Sequence, residues 1–284
     1  MSTQVLASPA RADAAPAFVE ANVNFTQRTG DKPYSYTYEP PPGVPATRGQ
    51  YESRTVRIEN VRPIANTLSL DVQGVAVLSH RSAVRDFWDE AQTLALGHPE
   101  TAQLVKDVTG AARVVVFDHT LRRRAAGTAD RTPGAARQPA TRAHVDQTVA
   151  SGPQRVRDIM GDQAEALLTG RAAIINVWRP IAHPALDWPL AVADARSIAP
   201  RDLIASDLIF PHRRGEIYTL AHDPGQRWLY VPDLRPDEAM LIKCWDSDAR
   251  VARFAPHTAF EDPTTPPDTP PRASIEFRTI AFFD

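Results

Sequence analysis

The stretch TRAHVDQT, residues 141–148, decides how this chain is read. It sets a histidine and an aspartate two positions apart, His144 and Asp146, just ahead of a segment that looks helical. On a helix, residues two apart point away from each other; on a strand they share one face. If the stretch is a strand, both side chains converge on one point, and a metal ion is the natural occupant. That reading requires a third ligand elsewhere in the chain.

Eight histidines are available, and His257, in the stretch FAPHTAFED, is the candidate. It follows the apolar strand-like run AMLIKCWDS (239–247) and lies 113 residues beyond His144. Two histidines and one carboxylate on one side of a metal make the facial triad of non-haem Fe(II) oxygenases. Such a triad leaves positions for a chelating 2-oxo acid and for O2. The far carboxylate of a 2-oxo acid needs a cation, and the planar fork of arginine suits it. The closing run PRASIEFRTIAFFD supplies one. Arg272, Ser274, Glu276 and Arg278 fall on one face of a strand, and Ala273, Ile275 and Phe277 on the other. In a barrel one of these faces lines the interior, so Arg272 and Ser274 could grip one carboxylate together. Arg278 competes for the same role.

Bulk properties narrow the classes. The 284 residues carry a net charge of −2, so there is no basic field for nucleic acid or for an anionic membrane surface. No apolar run reaches the roughly 18 residues that span a bilayer. The single cysteine, Cys244, excludes an internal disulfide framework. The N-terminal residues carry no secretory signal pattern, and a cytoplasmic location is expected. There are 26 prolines, which favour long ordered loops and short strands over a helical bundle.

Along the chain, residues 1–20 read as a disordered Ala/Pro-rich tail and residues 21–284 as one domain. Residues 21–50 look like an extended arm, and its Tyr/Pro-rich part (31–45) could reach a second subunit of a homo-oligomer. Alternation predicts strands over 51–62 and 68–80. Val84, Phe87, Trp88 and Ala91 predict a helix from Ser82, and a second helix runs from Pro99 to Gly110. A strand is expected over 112–120, then a polar loop over 122–142. Ser151 and Gln154 have capping-box spacing and open a helix to about Leu168. Strands follow over 171–181, 216–222, 226–232, 239–247 and 272–283. A strand-rich second half with helices gathered in the first predicts a β-barrel or jelly-roll sandwich with helices on one outer face. No Gly-rich phosphate loop and no G-x-S-x-G elbow is present.

The phrases FDHTLR, HVDQT, NVWRPI, HDPGQRWLYVPDLRPDEAMLIKCWDS, PHTAFEDP and RASIEFR resemble those of the 2-oxoglutarate/Fe(II)-dependent dioxygenases. Within that superfamily they are similar to the hydroxylase/desaturase group related to the fungal gibberellin desaturase and the cephalosporin 7α-hydroxylase. The resemblance spans residues 21 to 283. It implies a mainly β fold with packed helices and a double-stranded β-helix (jelly-roll, cupin-like) core. It implies Fe(II) held by His144, Asp146 and His257, with 2-oxoglutarate and O2 as cosubstrates. The expected reaction is hydroxylation or desaturation of an unactivated C–H position of a small molecule in secondary metabolism. One departure is visible: 14 residues separate His257 from Arg272, more than the family's usual gap, with the proline-rich TTPPDTPP as the added length. Two alternatives stand beside this reading: an iron enzyme of the same fold that does not use 2-oxoglutarate, and a non-catalytic β-barrel binding protein.

Other residues carry weaker expectations. Asn176 and Trp178 share a strand face and could border substrate. Arg179 faces the other way and should pair with an acid. Lys243 sits among apolar residues and needs a partner or a cavity. His119 reads as a core histidine. Arg122, Arg123 and Arg124 read as the start of a solvated loop, and the segment 122–142 as a lid.

Overall fold

Strand alternation builds the architecture, and it is clearest in the two strands that line the site. A computed structural model describes residues 15–130, 132 and 135–284. The first half holds β1 (Phe18–Thr26), β2 (Tyr34–Tyr36), β3 (Thr47–Arg48), β4 (Tyr51–Asn60), β5 (Val75–Ser79), α1 (Glu90–Gln92), α2 (His98–Thr109), β6 (Arg113–Arg123), β7 (His144–Val145), α3 (Ser151–Met160) and α4 (Ala164–Leu167). The second half holds β8 (Ala172–Pro180), β9 (Leu190–Ala193), β10 (Leu203–Ile209), β11 (Arg214–Leu220), β12 (Trp228–Tyr230), β13 (Glu238–Asp246), β14 (His257–Ala259) and β15 (Ala273–Phe282). They form two sheets: a large one in the order β1-β4-β12-β9-β14-β7-β11-β10-β2-β3, and a small one in the order β5-β13-β8-β15-β6. Facing each other, they make the jelly-roll core.

The small sheet has two different faces. Its outer face, with Ile175 and Val177 of β8 and Ile275 and Phe277 of β15, packs on Leu104 and Val105 of α2. At one end of its inner face, Ile174, Ile280 and Phe282 meet Val145 of β7 and Val156 of α3. At the other end, Trp178, Met240 and Ile242 meet Leu190 and Val192 of β9. Each such side chain contributes about 1.5–3 kcal/mol on burial. Between these two apolar ends lies a polar belt, with Asn176, Ser274, Glu276 and His257 all buried. A barrel gains nothing in stability from such a belt, so its position marks the site.

Several local expectations change. The tail was expected to run through residue 20, but Phe18 already opens β1, which pairs along its length with β4. Residues 1–14 of that tail lie outside the described residues. The strand expected over 68–80 is confined to Val75–Ser79, because Ser69–Gly74 forms a turn in which Gly74 takes φ +79°. No helix starts at Ser82. Asp86 accepts a hydrogen bond from the Trp88 amide, and Asp89 caps a helix that begins only at Glu90. These short carboxylates offer the backbone an alternative to helix. The capping box at Ser151 is absent as well. Thr148 Oγ1 accepts from the amides of Ala150 and Ser151, and Gln154 bonds Asp158 instead. The expected second helix ends as read, with Gly110 left-handed at φ +71°. The extended arm packs on the body, where Tyr34–Tyr36 pairs with β10. No helix among the described residues is long and apolar enough to cross a membrane.

Candidate active site

β7 and β14 are neighbours in the large sheet, and the single register pair between them is His144 with His257. Residues 113 positions apart are thereby set side by side, with ring centroids 4.6 Å apart. Asp146 follows one step beyond β7, its Oδ1 3.4 Å from His144 Nε2. One ligand atom from each of the three residues lies within 4.8 Å of the others.

The hydrogen bonds set the tautomers. His144 Nδ1 donates to the Arg142 carbonyl at 2.8 Å, and His257 Nδ1 donates to the Ala255 carbonyl at 3.1 Å. Both Nε2 lone pairs are therefore left for a metal, the arrangement metal-binding histidines ordinarily show. His257 Nε2 is buried and has no hydrogen-bond partner. Burial, then the neighbouring His144, lowers the His257 pKa, so the ring is neutral and able to ligate. The donor set, two imidazole nitrogens and a carboxylate, fits Fe(II) with open positions.

The small sheet holds the carboxylate in place. Asn176 of β8 and Arg278 of β15 are register partners, and both reach Asp146 Oδ2, at 2.8 and 3.1 Å. Burial alone would raise the Asp146 carboxyl, but the Arg278 guanidinium holds it well below the usual carboxylate range. It is ionised, with Oδ1 turned toward the histidines. Asn176 thus meets a ligand, where the sequence suggested it might border substrate.

Arg272 and Arg278 have opposite environments. Arg278 is saturated: beside Asp146 it donates to Glu276 at 2.7 Å, Asp118 at 3.0 Å and Thr120 at 2.8 Å. Arg272 is buried and has one side-chain hydrogen bond, from Nη1 to the Trp188 carbonyl at 2.6 Å. Trp188 takes φ +46° to present that carbonyl, a strained conformation held beside the site. Arg272 Nε and Ser274 Oγ are both buried and without partners. Trp178 faces the Arg272 guanidinium at 5.4 Å. Burial and the nearby Arg122 pull the Arg272 pKa down to about 9. The pocket thus holds a buried guanidinium and a hydroxyl with unpartnered polar atoms.

Arg122 belongs to the same pocket. It lies in β6, directly across from Ser274, so the two share the interior face. Its Nη1 donates to the Gln138 carbonyl at 2.7 Å, and burial lowers its pKa. The sequence reading placed Arg122 and Arg123 in a solvated loop; both are in β6, and only Arg124 lies beyond it. Alternation alone would have misplaced it: Val114 and Val116 face outward, and a bulge at Phe117 reverses the parity of β6, so that Leu121 faces out and Arg122 in.

The remaining candidates are structural. Arg179 pairs with no acid among the described residues; Nη2 contacts the His80 ring and donates to the His80 carbonyl at 3.0 Å. Lys243 makes the ion pair, with Asp246 at 2.5 Å and Asp71 at 2.9 Å. His119 meets His98 at 3.1 Å under Phe277.

A jelly roll with a 2-His-1-carboxylate centre beside a buried arginine pocket defines the class of iron oxygenases that use a 2-oxo acid. The family described as "Oxidoreductase/YMDC permease-like domain" matches residues 23–282. The chain is 32% identical over 254 residues to the Fe(II)/2-oxoglutarate-dependent dioxygenase nvfI of Aspergillus novofumigatus, covering 87% of this chain and 90% of that one. It is 34% identical over 261 residues to the hydroxylase/desaturase CTB9 of Cercospora beticola, covering 84% and 79%. Its fold matches the solved iron and alpha-ketoglutarate-dependent endoperoxidase NvfI with a TM-score of 0.86 at 30% identity, over 94% of this chain and 98% of that one. The chain belongs to the Fe(II)/2-oxoglutarate-dependent dioxygenase family, whose cofactor is Fe(II) and whose cosubstrates are 2-oxoglutarate and O2. A non-catalytic barrel, and an iron enzyme independent of 2-oxoglutarate, are left without support.

Proposed function

We propose that residues 18–284 form one catalytic domain that hydroxylates or desaturates an unactivated C–H position of a small molecule in natural-product biosynthesis. The observation that carries this is the convergence of two pinned imidazoles and one ionised carboxylate inside a jelly roll, next to a cationic pocket with unsatisfied donors. His144, Asp146 and His257 hold the metal. Arg278 and Asn176 keep the Asp146 carboxylate oriented. Arg272 and Ser274, with Arg122 across the strand pair, receive the distal carboxylate of 2-oxoglutarate. Trp178 supports the Arg272 guanidinium. Bound Fe(II), with O2 and 2-oxoglutarate, supplies the oxidant that removes hydrogen from the substrate. The protein's part is to fix geometry and exclude water, which the apolar ends of the barrel do. The loop that follows β6, tied by the Arg137–Asp130 pair at 2.8 Å, is the lid of the site. Residues 131, 133 and 134 of it lie outside the described residues.

The test is an anaerobic titration of the apoprotein with Fe(II), then 2-oxoglutarate, followed by visible absorption. A weak charge-transfer band that needs both additions and vanishes in His144→Ala supports the assignment. Retention of the band in His144→Ala, or its absence in the unmodified protein, would overturn it.

A further inference from the structure

The cleft that reaches Asp146 carries a charge pattern the oxygen chemistry does not use. Its volume is about 420 Å³, with α3 on one side, the β10–β11 turn on the other and Asp146 in its lining. Such a size suits a mid-sized ligand. Most charges in its walls are matched. Lys32 bridges Asp207 and Glu216 at 2.5 and 2.6 Å, and Thr148 donates to Glu216 at 2.6 Å. Arg214 adds a second contact to Asp207 at 3.4 Å. Asp158 accepts from Gln154 at 2.8 Å.

Two guanidiniums remain. Arg155 Nε is buried and has no hydrogen-bond partner. Arg213 lies over the Phe210 ring at 3.8 Å, and among the described residues it makes no ion pair. Burial lowers the Arg155 pKa, and repulsion from Arg213 adds to it ahead of the attraction of Asp158. Asp158 and Asp118 attract Arg155 without hydrogen-bonding its Nε, which leaves a buried donor that an anion in the cleft can satisfy. Beside them Leu208, Phe210 and Ile217 give the cleft an apolar wall.

We propose that the substrate carries an anionic head group, a carboxylate or a phosphate, received by Arg155 and Arg213, with an apolar body lying along the cleft toward the metal site. This rests on the oxygenase reading above. The test uses protein loaded with Fe(II) and saturated with 2-oxoglutarate under anaerobic conditions, so that the Arg272 pocket is already filled. The probes are 4-phenylbutyrate, 3-phenylpropyl phosphate and the neutral 4-phenylbutyramide, read by their perturbation of the charge-transfer band. At least one anion is expected to bind about tenfold or more tightly than the amide, the size of one charge-assisted contact. The tighter of the two names the head group. Arg155→Gln and Arg213→Gln should each lose most of that preference while forming the 2-oxoglutarate band normally. Equal binding of amide and anions, an anion preference that survives both substitutions, or no saturable anion binding would overturn the proposal. A missing band in the unmodified protein is a different failure: it removes the oxygenase site itself, and this inference with it.

Discussion

Replacing Arg272 with glutamine should weaken cosubstrate binding without weakening the fold. Arg272 is 2% exposed, and its pKa falls from the ordinary guanidinium range to about 9, first through burial and then through Arg122. A shift of that size corresponds to about 3–5 kcal/mol of strain in the charged, free protein. The sign follows from linkage. The folded pKa lies below the unfolded one, so the penalty is full below pH about 9 and is relieved as pH rises toward the unfolded value. At neutral pH the substitution removes that penalty, which exceeds the about 1–3 kcal/mol lost because glutamine ends two bonds short of Nη1 and leaves the Trp188 carbonyl without its donor. The melting temperature of the cosubstrate-free variant should therefore equal or exceed that of the unmodified protein. Affinity should move the other way. Deleting one partner of a buried charged contact costs about 2–4 kcal/mol, or about 30- to 1000-fold in the dissociation constant. Titration of the charge-transfer band with 2-oxoglutarate measures the second quantity, and scanning calorimetry the first. An affinity within about threefold of normal, or a clear loss of stability without cosubstrate, would refute the reasoning.

Asn176→Ala removes a hydrogen bond to Asp146 Oδ2 and should weaken Fe(II) binding by about 10- to 100-fold, measured by metal competition with a chelator. Gly152→Ala would place a Cβ 2.5 Å from the Trp245 ring. It should cost about 1–3 kcal/mol and lower the melting temperature by several degrees. Lys243→Met removes one buried partner of Asp246, which is 0% exposed and keeps Arg171 at 2.8 Å, and should destabilise by about 1–3 kcal/mol in urea unfolding. The Cys244 thiol, whose pKa burial pushes up, should stay unreactive to a disulfide reagent at pH about 8 until the chain is unfolded.

The parts of the fold legible in the sequence were those governed by period-two alternation. β15 is the clearest case: its buried inner and outer residues follow the predicted parity from Ala273 to Phe282, and β8 shares that parity. The triad was legible for the same reason, since two strand residues on one face must converge. Placing His257 took more than parity. Its nearness to His144 is a fact of sheet order, and no local pattern encodes it. The errors gathered where side chains compete with the backbone. Asp86 and Asp89 satisfy main-chain amides locally and displace the helix start that hydrophobic spacing had set at Ser82; Thr148 takes over the capping expected of Ser151 and Gln154, while α3 still begins at Ser151. Between Arg272 and Arg278, spacing offered only the serine two residues after Arg272 as a reason to prefer it. The choice turns on which guanidinium other side chains already satisfy, a tertiary property.

The one-to-one register of His144 with His257 also has a kinetic meaning. Two of the three ligands come together only when strands 113 residues apart have paired, a long loop to close and a contact of high order. An unfolded or half-folded chain therefore offers no complete site. Metal uptake should be among the last events of refolding, slower than the recovery of strand signal. Because the ion binds only the finished sheet, chelation should leave the architecture intact while lowering the melting temperature in proportion to the logarithm of free metal.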